Sequence, residues 1–187
     1  MGLFATLLGR SKPVPPNLDQ LFALPSAAVT LQAATRFRPT GTGSVSFKAA
    51  EGAGFTGLTE RIEALLALDE GKFTTTTDRF GYCWLTRPGD PGDLEGLVTD
   101  LHAVNTSLVE AGYGAALLCT VVAFTDEHRP LGLIYLYKRG TWYPYAPAPS
   151  ERRDSALELQ VKAAVQDDLG MEQDLSRWFP VYDAPGL

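Results

Sequence analysis

The sequence predicts a single α+β domain: a mostly antiparallel sheet of about five or six strands with helices packed on it, plus a short N-terminal helical arm. Two patterns indicate this class. Strand-like segments follow one another through short turns, as antiparallel neighbours do, and single amphipathic helices interrupt them. The chain has 187 residues, of which 45% are hydrophobic, enough to bury a core without disulfides. We therefore divide it into an arm at residues 1–25 and a domain at residues 26–187.

The arm combines a short apolar turn, a basic pair and a proline spacer at residues 13–16. Two helical turns are not stable alone in water, so this one needs a surface, which the body, a partner or a membrane could supply. Membrane contact would be weak, because the apolar area is small and the body is acidic, so a protein surface fits better. The first candidate contact residues are Leu3, Phe4, Leu7, Leu8, Arg10 and Lys12.

Local patterns assign the first half of the domain. Residues 28–32 predict a short strand, and the alternating residues 44–48 predict a second one. Apolar residues at helical spacing then predict a helix from Leu58 to about Gly71. The threonine run at residues 73–77 favours a polar edge strand, and residues 80–85 favour a better covered one.

The second half begins with the clearest helix, which Asp93 caps and which ends at Gly112 or Gly114. The nearly all-apolar residues 115–124 predict a central strand covered on both faces. A short turn leads to an antiparallel strand at residues 131–137. Next comes an edge strand at residues 141–145, because Pro144 cannot donate to a neighbour.

A capping box predicts the last helix. Ser155 and Glu158 have the required spacing, and Glu158 and Lys162 could pair across one turn. Gly170 ends this helix.

Composition bounds the partners and the compartment. The net charge is −6, which opposes binding to a phosphate backbone, so nucleic acid is not expected as a partner. Cys83 and Cys119 lie in apolar strand-like runs without a second ligand nearby, which predicts buried thiols in a reducing cytoplasm and neither a metal nor a disulfide. The chain has no pattern of a signal peptide or a membrane span, so we expect it in the cytoplasm.

Two patterns could carry chemistry, and neither is complete. Residues 52–57 match the GxGxxG fingerprint and Asp78 follows about twenty residues later. However, three residues separate the motif from the preceding strand, and Glu51 would place a carboxylate beside a pyrophosphate. The two histidines, His102 and His128, lack a catalytic motif around them. We therefore predict no catalytic residue, no cofactor and no enzymatic activity.

Aromatic residues concentrate near the predicted edge hairpin, where they favour one of two arrangements. An exposed patch would form a protein interface, because aromatic side chains provide large contact areas at little cost in entropy. Alternatively, the last helix with Trp178 and Phe179 covers this face of the sheet. The candidate contact residues in the patch are Trp142, Tyr143 and Tyr145.

Three segments resemble a known family: residues 7–13 (LLGRSKP), residues 17–28 (NLDQLFALPSAA) and residues 38–43 (RPTGTG). With these segments the chain resembles the PspA-associated protein PspAB family of actinobacteria and archaea, over essentially its full length. The resemblance implies a cytoplasmic accessory protein of the phage-shock response, acting with phage-shock protein A, a coiled-coil protein that guards stressed membranes. Through that partner it could lie at the inner face of the membrane. It implies no established activity and supplies no catalytic residues.

We therefore expect a non-enzymatic adaptor whose arm, together with the Trp142 hairpin, contacts an amphipathic helix of a PspA-like coiled coil. The first alternative is a small-molecule-binding or enzymatic domain with a cleft lined by Tyr135, Trp142 and His128. The second is a scaffold that resembles secretion chaperones, which would be a dimer.

Overall fold

Six strands form one sheet that organises the fold. A computed structural model describes residues 17–48 and 73–187. The apolar arm, the GxGxxG motif and the helix predicted at residues 58–71 lie outside the described residues. The described helices are a 3-10 helix at Leu18–Ala23, α1 at Leu24–Ala34, α2 at Leu94–Glu110, α3 at Ser155–Val165 and a 3-10 turn at Leu175–Arg177. The strands are β1 Arg38–Lys48, β2 Thr74–Thr77, β3 Tyr82–Pro88, β4 Leu117–Thr125, β5 Pro130–Leu136, β6 Thr141–Tyr145, β7 Pro147–Ala148 and β8 Arg152–Arg153.

The strand order in the large sheet is β2-β3-β1-β4-β5-β6, and every neighbouring pair is antiparallel. This confirms the predicted α+β class. The hairpins β4–β5 and β5–β6 join neighbours in sequence, whereas β1 lies between two later strands. The four residues of β2 are all exposed at one edge, as the threonine run predicts. Strands β7 and β8 form a separate two-stranded ribbon.

Helices cover one face of the sheet, which we call the helix face. Its buried side chains pack against α1, α2 and α3 in the larger apolar cluster. The residues that define this face include Val45, Phe47, Leu85, Tyr135 and Trp142. Gly43 lies in β1 under α2, where an added Cβ would stand 2.6 Å from Leu101 Cδ1. The absence of a side chain at Gly43 therefore lets this helix approach the central strand closely.

The first helix corrects the sequence analysis. Residues 28–32 do not form a strand; they lie inside α1. Pro25 occupies the first turn of this helix, where its missing N–H is not needed. Leu24, Ala27, Ala28 and Leu31 recur at helical spacing and are all buried. The spacing of these residues indicates a helix, but the β-branched residues between them favoured a strand in the prediction.

The sequence predicted the N-terminal cap of α2 correctly but not that of α3. Asp93 caps α2, because its carboxylate accepts from Gly96 N at 2.9 Å. The capping box at Ser155 was wrong, since Asp154 is the N-cap of α3 and accepts from Leu157 N at 3.0 Å. The Glu158 carboxylate instead accepts from Ala146 N at 2.9 Å.

The described part of the predicted arm packs against the domain. Leu21 and Leu24 are buried in the cluster on the helix face. The hydroxyl of Tyr135 donates to the carbonyl oxygen of Asn17 at 2.7 Å, which fixes the start of the described chain against β5. The division at residue 25 stays a prediction, although α1 runs across it.

Candidate functional site

The opposite face of the sheet, which we call the second face, carries a smaller apolar cluster. Its sheet residues are Trp84, Cys119, Val121, Ile134, Tyr143 and Tyr145. The C-terminal segment, residues 177–187, covers only part of this face. Trp178 stacks on Tyr143 with ring centroids 6.0 Å apart, and the Tyr143 hydroxyl donates to Phe179 O at 2.8 Å. The part of this face that the C-terminal segment does not cover lines a cavity.

This cavity has a volume of about 660 Å³. Four residues on neighbouring strands form a row across its floor, because each is paired in register with the next. In strand order the row is Trp84, Ser46, Cys119 and Leu136. Tyr143 on β6 closes the floor at the far side. The volume falls within the range of roughly 300–1,000 Å³ that is typical of binding sites.

A β-bulge adds one side chain to the floor. The register of β1 with β4 shifts between Ser46 and Phe47, whose partners are Cys119 and Leu117, so Leu118 is the extra residue. Leu118 and Cys119 both line the cavity although they are consecutive. In an undisturbed strand they would point to opposite faces, so the bulge increases the apolar surface of the floor.

Two walls rise from the floor. One is the turn between β2 and β3 with the first residue of β3, which together contribute Asp78, Phe80 and Tyr82, and the other is the C-terminal segment from residue 177 to residue 182. Arg79 connects them, because its guanidinium pairs with Asp183 at 2.9 Å and also with Glu151. The Tyr182 hydroxyl donates to Glu151 O at 3.0 Å on the same side. The walls are therefore joined at one side of the cavity.

Polar groups in the lining are largely engaged within the chain. Asp78 accepts from Phe80 N at 2.9 Å, from Tyr82 N at 3.0 Å and from Trp84 Nε1 at 2.9 Å. Asp78 thus fixes the turn and one floor residue, and this accounts for its carboxylate without the nucleotide role considered from the sequence. Burial raises the pKa of the Cys119 thiol to about 12, so this lining group is neutral at physiological pH.

The rim of the cavity exposes two aromatic side chains. Phe80 is 51% exposed and Phe179 is 60% exposed, and they lie on opposite walls. Large exposed apolar groups around an apolar cavity are typical of a contact surface. From the sequence, Phe179 is expected only to cover the aromatic hairpin, and no motif marks Phe80 for function. The only sequence signal for exposure of Phe80 and Phe179 is that both lie beside polar turn residues.

The aromatic residues proposed as a partner patch are not on the surface, which corrects that prediction. Trp142 is fully buried on the helix face, while Tyr143 and Tyr145 are buried on the second face. Alternation along β6 sends neighbouring side chains to opposite faces, and both faces are covered here. The covered arrangement considered from the sequence, with Trp178 on Tyr143, is the correct one. The other candidate contact residues, Leu3, Phe4, Leu7, Leu8, Arg10 and Lys12, lie outside the described residues.

The alternative cleft was also placed wrongly. Tyr135 and Trp142 pack against each other on the helix face and are inaccessible, with ring centroids 5.3 Å apart. His128 is exposed in the turn before β5, at the opposite end of the strand from Tyr135. The other histidine, His102, lies 3.5 Å from Asp19 and contacts the ring of Phe22. The cavity uses none of these side chains.

Within residues 17–48 and 73–187, no group of three or more His, Cys, Asp or Glu side chains is arranged to hold a metal ion. None of the helices in this part of the chain has the length and hydropathy needed to traverse a bilayer.

Comparison with known proteins adds one match. The sequence model of the family described as PspA associated protein B matches residues 1–186. No curated protein matches the chain, and no solved structure matches it either. The family match agrees with the resemblance that the sequence segments indicate.

Proposed function

Because the chain belongs to the PspA associated protein B family, we propose that it is a non-enzymatic accessory protein that binds a PspA-like coiled-coil partner in a phage-shock-type stress response. The family description supports an association with PspA. The observation that carries the proposal is the apolar cavity on the second face with Phe80 and Phe179 exposed at its rim. We place the protein in the cytoplasm, at the inner face of the membrane when its partner is there.

The cavity suits the apolar face of an amphipathic helix, a common mode of recognition between proteins. The floor reaches from Trp84 on β3 to Tyr143 on β6, across five neighbouring strands. At about 4.8 Å between strands, this distance is about 19 Å, which a helix of about 13 residues would span. Phe80 and Phe179 would contact the helix from both sides.

The two rim aromatics provide the test. Phe80→Ser and Phe179→Ser remove exposed side chains, so both variants should fold. Leu175→Ser is the matched control, because Leu175 is 53% exposed and does not line the cavity. We expect the dissociation constant for the host's PspA-like protein, measured by isothermal titration calorimetry, to rise about tenfold or more for each rim variant and to stay unchanged for the control.

Two results would overturn the proposal. One is the absence of any complex between the intact chain and the PspA-like protein in light scattering. The other is a complex that both rim variants form as well as the wild type. A variant with Leu3→Asp and Phe4→Asp separates the arm from the cavity, because loss of binding in this variant alone would place the contact on the arm.

The cavity volume also favours a second candidate, a small-molecule-binding domain. A low-molecular-weight apolar ligand would raise the melting temperature of the free chain, and Leu136→Asp on the floor would abolish that shift. The chaperone-like scaffold predicts a stable dimer, which the same light-scattering run would detect.

A further inference from the structure

The charged side chains at the opening of the cavity differ in whether they already have a partner. Arg139 pairs with Glu172 at 3.1 Å, and Arg177 pairs with Asp174 at 3.0 Å. Lys138 is exposed in the β5–β6 turn and forms no ion pair with any described residue. Among the described residues that line the opening, Lys138 is therefore the one positive charge without an ion pair.

The opposite charge in the lining is already used. Asp78 accepts three hydrogen bonds, two from backbone amides of its own turn and one from Trp84 Nε1. These bonds hold the carboxylate toward the turn and the floor. Within the part of the lining that the structure describes, Lys138 is thus the charged group that remains available to an occupant of the cavity.

The lining also discriminates between a helix and an extended peptide. An extended segment on a sheet face would bury backbone N–H and C=O groups that need partners. The cavity offers few, because the Tyr143 hydroxyl is bonded to Phe179 O and the indole of Trp84 is bonded to Asp78. A helix satisfies its own backbone groups and can present apolar side chains alone.

The size of the cavity also favours a helix as its occupant. A volume of about 660 Å³ spread over the floor corresponds to a mean cross-section of about 35 Å². A helix about 10 Å in diameter has a cross-section of about 80 Å². Less than half of a helix would enter, so the cavity could take one apolar face of a helix while the polar side stays outside.

From these observations we propose that the cavity recognises an amphipathic helix in which an acidic residue borders the apolar face and pairs with Lys138. The proposal rests on the proposed function, because it specifies the partner of the same cavity. Apolar side chains at helical spacing fill the floor around Leu118, Cys119 and Leu136. An acidic residue three or four positions from the side chain that packs on Leu136 reaches Lys138.

Two synthetic helical peptides of about 14 residues test this recognition directly. Both carry Leu at positions i, i+3, i+4 and i+7, and the residues bordering that stripe are Glu in one peptide and Lys in the other. Binding to the full chain is measured by fluorescence anisotropy at low salt. We expect the Glu-bordered peptide to bind about fivefold more tightly, the effect of a charge pair at a partly exposed rim.

Variants of the chain assign the preference to one residue. Lys138→Glu should weaken binding of the Glu-bordered peptide by at least about fivefold and strengthen binding of the Lys-bordered peptide. The order of the two affinities is then reversed. Arg38→Glu is the control, because it makes the same change in net charge at an exposed position. Arg38 is the first residue of β1, whereas Ser46, which lines the cavity, lies near the end of that strand. This control should preserve the preference of the wild type.

Equal binding of the two peptides to the wild type would overturn the inference, and so would an unchanged preference in Lys138→Glu. In both cases sensitivity of the peptides to Phe80→Ser would leave the helix-binding cavity standing. If neither peptide binds while the PspA-like protein does, the proposed recognition of an amphipathic helix is wrong. Binding of the PspA-like protein to Phe80→Ser and Phe179→Ser then shows separately whether the cavity is the docking site.

Discussion

Arg153 and Glu158 form an ion pair that ties the C-terminal segment to helix α3. The Arg153 guanidinium contacts the Glu158 carboxylate at 2.8 Å and also donates to the carbonyl oxygen of Trp178. The Glu158 side chain is only 2% exposed. Because Trp178 lies within the C-terminal segment that forms one wall of the cavity, this pair positions that wall.

Loss of the Glu158 charge should destabilise the fold strongly. Glu158→Ala leaves Arg153 without its partner and Ala146 N without its acceptor, so we expect the free energy of unfolding to fall by about 3–5 kcal/mol. Leu159→Ala, at the neighbouring and 48% exposed position, should change it by less than about 0.5 kcal/mol. Urea denaturation measures both values. A loss below about 1 kcal/mol for Glu158→Ala would contradict the structural role of the pair.

Two buried tyrosines should respond oppositely to removal of the hydroxyl. Tyr135 donates to Asn17 O, whereas the Tyr145 hydroxyl is buried without a hydrogen-bond partner among the described residues. We expect Tyr135→Phe to cost about 1 kcal/mol and Tyr145→Phe to be neutral or stabilising. Chemical denaturation of the two variants provides the comparison. Equal losses would show that the Tyr145 hydroxyl has a partner in solution.

Alanine substitutions at Gly41 and Gly81 allow the cost of backbone strain to be separated from the cost of steric overlap. Both have positive φ, +79° and +80°, so alanine at either position should cost about 1–2 kcal/mol. At Gly41 the added Cβ would also meet backbone atoms of Gly89 and Pro91, while at Gly81 nothing lies within 4 Å. Gly41→Ala should therefore lower the free energy of unfolding by at least about 1 kcal/mol more than Gly81→Ala does. Similar costs would mean that the loop after β3 moves away freely.

Acid should remove a specific stabilising contribution from the β4–β5 turn. Burial raises the pKa of Asp126, but hydrogen bonds from the Arg129 side chain and from the backbone amides of Arg129 and His128 outweigh it and lower the pKa to about 2. Because the folded value lies below the unfolded value of about 3.9, the ionised carboxylate stabilises the fold above that pH. This contribution is lost as the pH falls from about 4 to about 2.

Asp126→Asn provides the corresponding comparison. At pH 6 the variant should have a lower melting temperature than the wild type, and the difference should shrink as the pH approaches about 2. A difference that stays constant over this range would assign the effect to turn geometry alone.

The features that were predictable from the sequence are those that depend on residues close together in the chain. The β4–β5 and β5–β6 hairpins and the Asp93 cap follow from turns and spacing within a few residues. The strand predicted at residues 28–32 failed because β-branched residues outweighed the helical spacing of Leu24 and Leu31. The Ser155 capping box failed because Glu158 serves a distant strand end, at Ala146, which no local pattern reveals.

The cavity was not predictable in this way. Its floor places Trp84 and Ser46 beside the β4–β5 pair Cys119 and Leu136, because β1 lies between β3 and β4. The contribution of Leu118 to the apolar floor depends on a register shift that the sequence of β4 does not signal. The burial of Trp142 follows from helices that pack on the sheet from elsewhere in the chain.

The central position of β1 also determines how the chain can reach this structure. Strand β1 pairs Ser46 with Trp84 on one side and with Cys119 on the other, so the middle of the sheet closes only after long loops have been brought together. Contacts between residues so distant in sequence slow folding, whereas the β4–β5–β6 meander can form early from local turns. We therefore expect insertion of β1 to limit the folding rate. Until then, the apolar edge of β4 remains exposed to other chains, which makes that strand the point of greatest risk for aggregation during refolding.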